Sequence, residues 1–273
     1  MRISGKSVIL TGASSGIGRA LVSPLVGRGA LLTTAARRGD RLAAACRDAA
    51  LLHPGSPTPV AVPCDVTDAR AVSLLVGGAV ERLGAVDVLI NNAGVSAFGV
   101  ESRTSLDDYR EIMEVNFYGA LNCMREVLPF MVRRGEGLIV NMLSVAALHG
   151  VPYLSAYCAS KAALLAVSEV VRAECADAGV RVMLVYPGYT ESEIFDVEKR
   201  VGGARRPPGK YAPADAVAER IVRAVEADRT DLFLTLRGRA LSVLRGLAPP
   251  VVDGAMRKIA RELRCPDEPG GEE

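Results

Sequence analysis

Short runs of β-branched and apolar residues alternate with longer helical segments along most of this chain. The predicted strands are residues 7–11, 31–36, 60–63, 86–91, 138–144, 180–186 and 231–236. The predicted helices are residues 16–28, 38–52, 69–83, 106–134, 154–178 and 213–227. This alternation is typical of βαβ units, whose right-handed crossovers build a parallel sheet covered on both faces. We therefore predict an α/β fold, a doubly wound parallel sheet of about seven strands in a single domain, residues 1–236.

Composition excludes several other classes of protein. The chain has 273 residues, of which 49% are hydrophobic, and a net charge of +2, so it can bury a large core and nucleic acid is not an expected partner. Six dispersed cysteines without a C-x-x-C pair and only two histidines argue against a metal site and a disulfide framework. With no visible signal peptide and no uncharged stretch of spanning length, the sequence favours a cytoplasmic location.

The first predicted strand leads into a glycine-rich turn that opens the first predicted helix, TGASSGIG over residues 11–18. Glycines allow a tight turn and a close backbone approach, and the helix N-terminus offers free N–H groups and the positive end of a dipole. This arrangement suits a pyrophosphate, and the two serines could add hydroxyl donors. The predicted cofactor-binding residues of the turn are Gly12, Ser14, Ser15, Gly16, Ile17 and Gly18.

Further motifs follow the glycine turn in a fixed order: Asn91-Asn92-Ala93-Gly94, Ser144, Tyr157-x-x-x-Lys161 and Pro187-Gly188. Together with TGASSGIG they resemble the short-chain dehydrogenase/reductase family, over roughly residues 6–235. The resemblance implies a Rossmann-like fold and a nicotinamide cofactor. It also implies metal-free interconversion of an alcohol and a carbonyl. We expect a small-molecule substrate of that kind and a homodimer or homotetramer.

Tyr157 and Lys161 lie four residues apart in a predicted helix, which places them on one face, one turn apart. A nearby ammonium lowers the pKa of a phenol, so Tyr157 could act as general acid and base. Ser144 ends a predicted strand, where its hydroxyl could stabilise developing alkoxide charge. By resemblance, Lys161 also binds the nicotinamide ribose, and Asn116 supports a water linked to the lysine. These four are the predicted catalytic residues.

The end of the second predicted strand reads Ala35-Ala36-Arg37-Arg38. An NAD enzyme typically carries an acid here, whereas a small residue followed by arginines accommodates a 2'-phosphate. We therefore expect NADP(H) over NAD(H), with Arg37 and Arg38 binding the phosphate, although the two arginines could instead begin a solvated helix. By resemblance, the cofactor is also lined by Asp65, Val66, Asn92, Ala93, Gly94, Pro187, Gly188, Thr190 and Ser192.

The substrate region is less specified by the sequence. Residues 145–153 and 189–195 lean apolar and are expected to flank an apolar or lipid-like substrate. Residues 237–265 form a helical C-terminal extension, with helices over 238–248 and 251–263, and residues 266–273 a disordered tail. The second helix carries an apolar stripe, Val252, Met256, Ile259 and Leu263, beside basic residues. The extension could cover the cleft, join subunits or, through residues 238–264, touch a membrane surface.

Two other functional classes remain open at this point. The chain could be a cofactor-binding regulatory protein of the same fold without significant turnover, or a scaffold at a membrane surface. The intact set of Ser144, Tyr157 and Lys161 argues against the first, because a protein without turnover has no chemical need for all three.

Overall fold

A computed structural model describes residues 1–188, 190, 199–201 and 211–263. The strands are β1 (Ser7–Thr11), β2 (Leu31–Ala36), β3 (Val60–Pro63), β4 (Val88–Asn91), β5 (Ala97–Gly99), β6 (Gly137–Met142), β7 (Val180–Tyr186), β8 (Lys199–Val201) and β9 (Asp231–Phe233). The helices are α1 (Gly16–Gly27), α2 (Gly39–Leu52), α3 (Ala69–Leu83), α4 (Leu106–Met113), α5 (Gly119–Arg134), α6 (Ser155–Glu174), α7 (Ala214–Glu226), α8 (Leu236–Leu247) and α9 (Pro249–Glu262).

Seven strands form one parallel sheet in the order β3-β2-β1-β4-β6-β7-β9. The predicted doubly wound, Rossmann-like fold is confirmed. The order reverses between β1 and β4, which creates a crevice at the carboxyl ends of these strands. The sequence pattern did not predict β5 and β8, which form a separate parallel pair.

The sheet is covered on both faces, which explains why its strands read as continuous apolar runs. In β1, Leu10 packs into the core beneath α1, α2 and α7, while its neighbour Ile9 packs into the core beneath α3, α5 and α6; both are fully buried. Alternate residues of a strand point to opposite faces. Each face of β1 is therefore buried under helices.

The helix predicted over residues 106–134 is divided. A single turn of π-helix, residues Glu114–Tyr118, separates α4 from α5. Such turns re-aim a side chain within an otherwise continuous helix. Here the fully buried residue of that turn is Asn116, one of the predicted catalytic residues.

The C-terminal extension packs against the sheet-bearing part of the protein. The second helix was predicted to start at residue 251, but α9 begins with Pro249 and Pro250, since proline fits the first turn of a helix. The predicted apolar stripe faces inward: Val252 and Leu263 are buried, while Met256 and Ile259 are half-buried. The predictions for residues 189, 191–195 and the 266–273 tail, including Ser192, lie outside the described residues. No described helix is long and apolar enough to cross a membrane.

Candidate active site

The carboxyl edge of the sheet borders a cavity of about 720 Å³. The loops after all seven strands of the sheet contribute to its wall, so the cavity lies where ligands of doubly wound sheets bind. The predicted site residues on its wall are Gly12, Ser14, Ser15, Ile17, Arg37, Arg38, Asp65, Val66, Asn92, Ala93, Gly94, Ser144, Tyr157, Lys161, Pro187, Gly188 and Thr190. Gly16, Gly18 and Asn116 do not reach the wall themselves.

The glycine turn depends on two positions without a side chain. Gly12 has a φ of +69°, and a Cβ there would lie 2.7 Å from the Cα of Ala93. A Cβ on Gly18 would overlap the carbonyl oxygen of Gly12. Gly18 therefore lets α1 begin directly against the turn, and so brings the N-terminus of this helix to the cavity.

Side-chain hydrogen bonds hold the loop after β4 against this turn. Asn92 Nδ2 donates to the carbonyl oxygens of Thr11 and Gly12, both at 3.1 Å. The backbone N–H groups of Asn92 and Ala93 donate to Thr11 Oγ1 at 3.0 and 3.2 Å. These hydrogen bonds join the two loops into one connected surface.

The two arginines after β2 behave differently. Arg38 Nη2 donates to Ser15 Oγ at 2.9 Å and to Ser14 Oγ at 3.3 Å, so this side chain is tied to the glycine turn. Arg37 lines the same end of the cavity but is exposed. Ala36, between the strand and the arginines, is buried and leaves space beside them.

The loop after β3 has its own local structure. Asp65 Oδ1 accepts hydrogen bonds from the backbone N–H and the hydroxyl of Thr67, at 3.0 and 2.9 Å. The adjoining Cys64 is buried, and burial raises the pKa of its thiol to about 11. A thiol of that kind stays protonated and unreactive at neutral pH.

Tyr157 and Lys161 lie together on the first turns of α6, at the centre of the cavity. The ammonium of Lys161 lies 5.8 Å from the centre of the Tyr157 ring and donates to the carbonyl oxygen of Met142 at 2.8 Å. Lys161 is 4% exposed, and burial lowers the pKa of its side chain to about 8. The lysine therefore carries its charge at neutral pH but sits close to its own titration.

Ser144 follows β6 and caps a short 3-10 turn, residues Val145–Ala147. Its Oγ accepts a hydrogen bond from the N–H of Ala146 at 3.1 Å, so its own hydroxyl proton points elsewhere. Ser144 and Tyr157 thus bring two hydroxyl groups to the same cavity, beside Lys161.

Asn116 connects the π-helical turn to two other parts of the site. Its Oδ1 accepts from the N–H of Val95 at 2.8 Å, and its Nδ2 donates to the Val95 carbonyl and to Ser160 Oγ, both at 3.0 Å. Ser160 in turn donates to the carbonyl of Tyr157 at 2.8 Å. Sequence reasoning missed Ser160, although it stands next to Lys161; only the tertiary contact with Asn116 distinguishes it.

The other end of the cavity is apolar and includes the C-terminal extension. Its wall contains Val95, Val151, Leu154 and Leu241. Behind it, Phe98 stacks on Tyr153 with ring centres 5.5 Å apart, and Ile259 and Leu263 of the extension complete the cluster. Sequence reasoning named the loop, the extension and the stripe residues Ile259 and Leu263. It did not name Val95, Leu154, Phe98 or Leu241, because which residues meet depends on how the extension docks.

Comparison with known proteins agrees with this geometry. Residues 6–200 match the family model described as short chain dehydrogenase. A dehydrogenase/reductase SDR family protein 7-like of Anopheles gambiae is 36% identical over 271 residues, 96% of this chain and 85% of that protein. Ketoacyl reductase HetN of Nostoc sp. is 35% identical over 232 residues, 85% of this chain and 79% of that protein. A short chain dehydrogenase from Burkholderia cenocepacia J2315, solved in complex with NADP, has a TM-score of 0.78 at 27% identity and covers 94% of this chain and 99% of that one.

Proposed function

Because this chain belongs to the short-chain dehydrogenase/reductase family and is an oxidoreductase, we propose that it interconverts a carbonyl and a secondary alcohol with NADP(H), on an apolar or lipid-like substrate. One observation carries the proposal. A single cavity joins two arginines and a glycine turn at one end to Ser144, Tyr157 and Lys161 in the middle and to an apolar wall at the other.

The residues present fit a nicotinamide dinucleotide. A Cβ on Gly12 would fill the narrow space beside Ala93. Because glycine has no Cβ, the backbone here stays open to a pyrophosphate at the N-terminus of α1. Arg37 and Arg38 would hold a 2'-phosphate, and Asp65 and Val66 would border the adenine. When bound, this cofactor supplies or accepts the hydride. Asn92, Ala93 and Gly94 would also line the cofactor, and Pro187, Gly188 and Thr190 would line its nicotinamide end. Ser192 is assigned to the same loop by resemblance alone and lies outside the described residues.

The protein's own residues handle the proton and the charge. Tyr157 gives its hydroxyl proton to the substrate oxygen in reduction and takes it back in oxidation. The Lys161 ammonium stabilises the phenolate, and two of its N–H groups remain for the nicotinamide ribose beyond the bond to Met142. Ser144 donates to the substrate oxygen as negative charge develops there. Asn116, through Ser160, positions α6 beneath Tyr157.

The substrate class follows from the far end of the cavity. Apart from Lys161, its charged wall residues, Arg37, Arg38 and Asp65, lie at the end assigned to the adenosine, and Val95, Val151, Leu154 and Leu241 form the other end. An apolar chain can be buried there without desolvating a charge. The name of the Nostoc relative, a ketoacyl reductase, supports an oxo group carried on such a chain. A homodimer or homotetramer, a cytoplasmic location and peripheral membrane contact complete the proposal.

Tyr157→Phe tests the proposed chemistry. With NADPH and a panel of medium- and long-chain ketones and β-ketoacyl thioesters, we expect turnover on the best substrate to fall about 10²- to 10⁴-fold, since the variant lacks only the proton donor. Cofactor affinity, followed by NADPH fluorescence, should stay within about twofold because the ring still packs at the same place.

Tyr109→Phe is the matched control, since this hydroxyl bonds Glu101 outside the cavity. A Tyr157→Phe variant that turns over at the wild-type rate would refute the assignment. A wild-type protein that binds NADPH but reduces nothing on the panel would favour the regulatory alternative.

A further inference from the structure

The helix that closes the substrate end of the cavity turns an apolar face to solvent. The outer face of α8 consists of Leu236, Ala240, Val243, Leu244 and Leu247, all of them exposed. Leu236 and Leu247 are 86% and 79% exposed. Their spacing of four, three and four residues through Ala240 and Val243 forms one continuous stripe along the helix.

The opposite side of α8 is attached to the site. Gly238 packs against Val145, next to Ser144, where a Cβ would overlap its side chain. Leu241 lines the cavity, and Arg245 donates to the carbonyl of Leu148. Helix α8 therefore cannot bury its outer face by rotating without giving up these contacts. Only the thickness of one helix, about 10 Å, separates this outer face from the apolar end of the cavity.

The charge of the extension indicates what would cover this face. Residues 236–263 contain six basic and two acidic residues. Within the described part of the chain, Arg239, Arg257 and Arg261 are exposed and form no ion pair, and Lys258 approaches Glu262 only at 3.9 Å. Exposed leucines and unpaired cations on one helical extension are the combination that binds anionic lipid headgroups and the acyl boundary beneath them.

A second copy of the chain fits the same face less well. A two-fold interface places the same patch on both subunits. The unpaired cations of one extension would then meet those of the other, and each pair of like charges would oppose association. An anionic bilayer surface supplies the opposite charge, whereas a second copy supplies the same positive charge as this extension.

We propose that the outer face of α8 docks on an anionic membrane surface and places the apolar end of the cleft at the lipid boundary. The sequence left open whether the apolar stripe of α9 covers the cleft, joins subunits or touches a membrane. In the fold that stripe faces inward, and the exposed apolar face belongs to α8. Docking itself does not depend on the proposed function. Only the route of the substrate rests on that function: an apolar substrate would enter from the lipid phase, across one helix.

Vesicle co-sedimentation tests the docking independently of turnover. Wild-type protein should sediment with vesicles of phosphatidylcholine and phosphatidylglycerol, more weakly with phosphatidylcholine alone, and more weakly again as salt is added. The double variant Leu236→Asn, Leu247→Asn should bind the anionic vesicles about tenfold or more weakly, because two leucines no longer gain from burial. Arg239→Gln with Arg257→Gln should lower binding to the anionic vesicles and leave the weaker binding to phosphatidylcholine vesicles unchanged.

The matched control is Leu74→Asn with Val170→Asn, which removes exposed apolar side chains from α3 and α6 and should leave sedimentation unchanged. NADPH turnover on a soluble ketone is measured for every variant and should stay at the wild-type level, so failure of docking and failure of the proposed chemistry are distinguishable. If the leucine variant has a lowered melting temperature, Val243→Asn replaces it.

Three results would overturn the proposal. They are wild-type protein that stays in solution with anionic vesicles, an α8 variant that sediments as well as wild type, and an α8 variant whose oligomer size falls while vesicle binding persists. The last result would assign the face to a second copy of the chain.

Discussion

The two ends of the cleft are built in different ways. At the cofactor end, two local sequence motifs meet: Gly12 and Gly18 exclude side chains from the glycine turn, and Asn92 from the loop after β4 donates hydrogen bonds to the backbone of that turn. At the substrate end, side chains from distant segments meet, with Leu154 of the middle of the chain beside Leu263 from its end. The first end is therefore specified by local motifs, and the second by the docking of the extension.

The centre of the site combines both kinds of constraint. Lys161 stands in a local motif with Tyr157, yet its burial and its bond to Met142 are tertiary.

The largest effect is expected at this centre. Between about pH 8 and 10.5 the folded protein binds fewer protons than the unfolded chain, because burial lowers the pKa of Lys161 from 10.5 to about 8. The free energy of unfolding of the wild type should therefore rise with pH in that window. Relative to Lys161→Met, which cannot titrate there, the gain from pH 7 to pH 10 should be about 2–3 kcal/mol.

Urea unfolding of both proteins at several pH values measures this difference. Lys258→Met, at an exposed position, is the control for loss of a lysine. If the free energy of unfolding changed with pH in the same way for the wild type and Lys161→Met, burial would not lower the pKa of Lys161. Tertiary burial would then not distinguish the centre of the site.

The next effect separates the two arginines of the cofactor end. Arg37 is exposed, so Arg37→Ala should weaken NADPH binding about tenfold and leave NADH binding unchanged, since each charge-assisted hydrogen bond is worth about 1.5–3 kcal/mol. Arg38→Ala should weaken both cofactors, because Arg38 also holds Ser14 and Ser15. Fluorescence titration of both cofactors compares the variants.

Arg19→Ala is the control for this pair: it removes an exposed arginine on α1 that pairs with Asp48 and lies off the cavity wall. Equal affinity of the wild type for NADPH and NADH would contradict the expected preference. It would also leave the arginines without a role in choosing the cofactor.

The smallest effect is expected at the substrate end. Leu241→Ala should raise KM for a long-chain apolar ketone several-fold, because the loss of this partly exposed side chain removes about 1 kcal/mol of burial against the substrate. The variant should leave kcat and NADPH affinity unchanged. Leu247→Ala, on the exposed side of the same helix, serves as the control in a soluble assay. If both variants, or neither, changed KM, the inner face of α8 would not contact the substrate.

The motifs of the sequence determined the sheet, the glycine turn and the set formed by Ser144, Tyr157 and Lys161. These follow from signals that act over a few residues: periodicity, the conformations open to glycine, and a spacing of four along a helix. The strand ends were predicted less well. Strand β9 stops at Phe233 because the chain turns into α8 with Thr235 as the N-cap, whereas apolar residues continue through Leu234 and Leu236.

Tertiary structure alone decided the rest. The apolar stripe of α9 is visible in the sequence, but its amphipathic pattern is equally compatible with a membrane, a second subunit or the chain's own cleft. The fold packs Ile259 and Leu263 of this stripe in the cluster with Phe98 and leaves Leu236, Leu244 and Leu247 of α8 exposed. Likewise, no local pattern shows that Ser160 bridges Asn116 and Tyr157. Such contacts join residues far apart in the chain, and their energy depends on which surfaces meet, which only the packed structure contains.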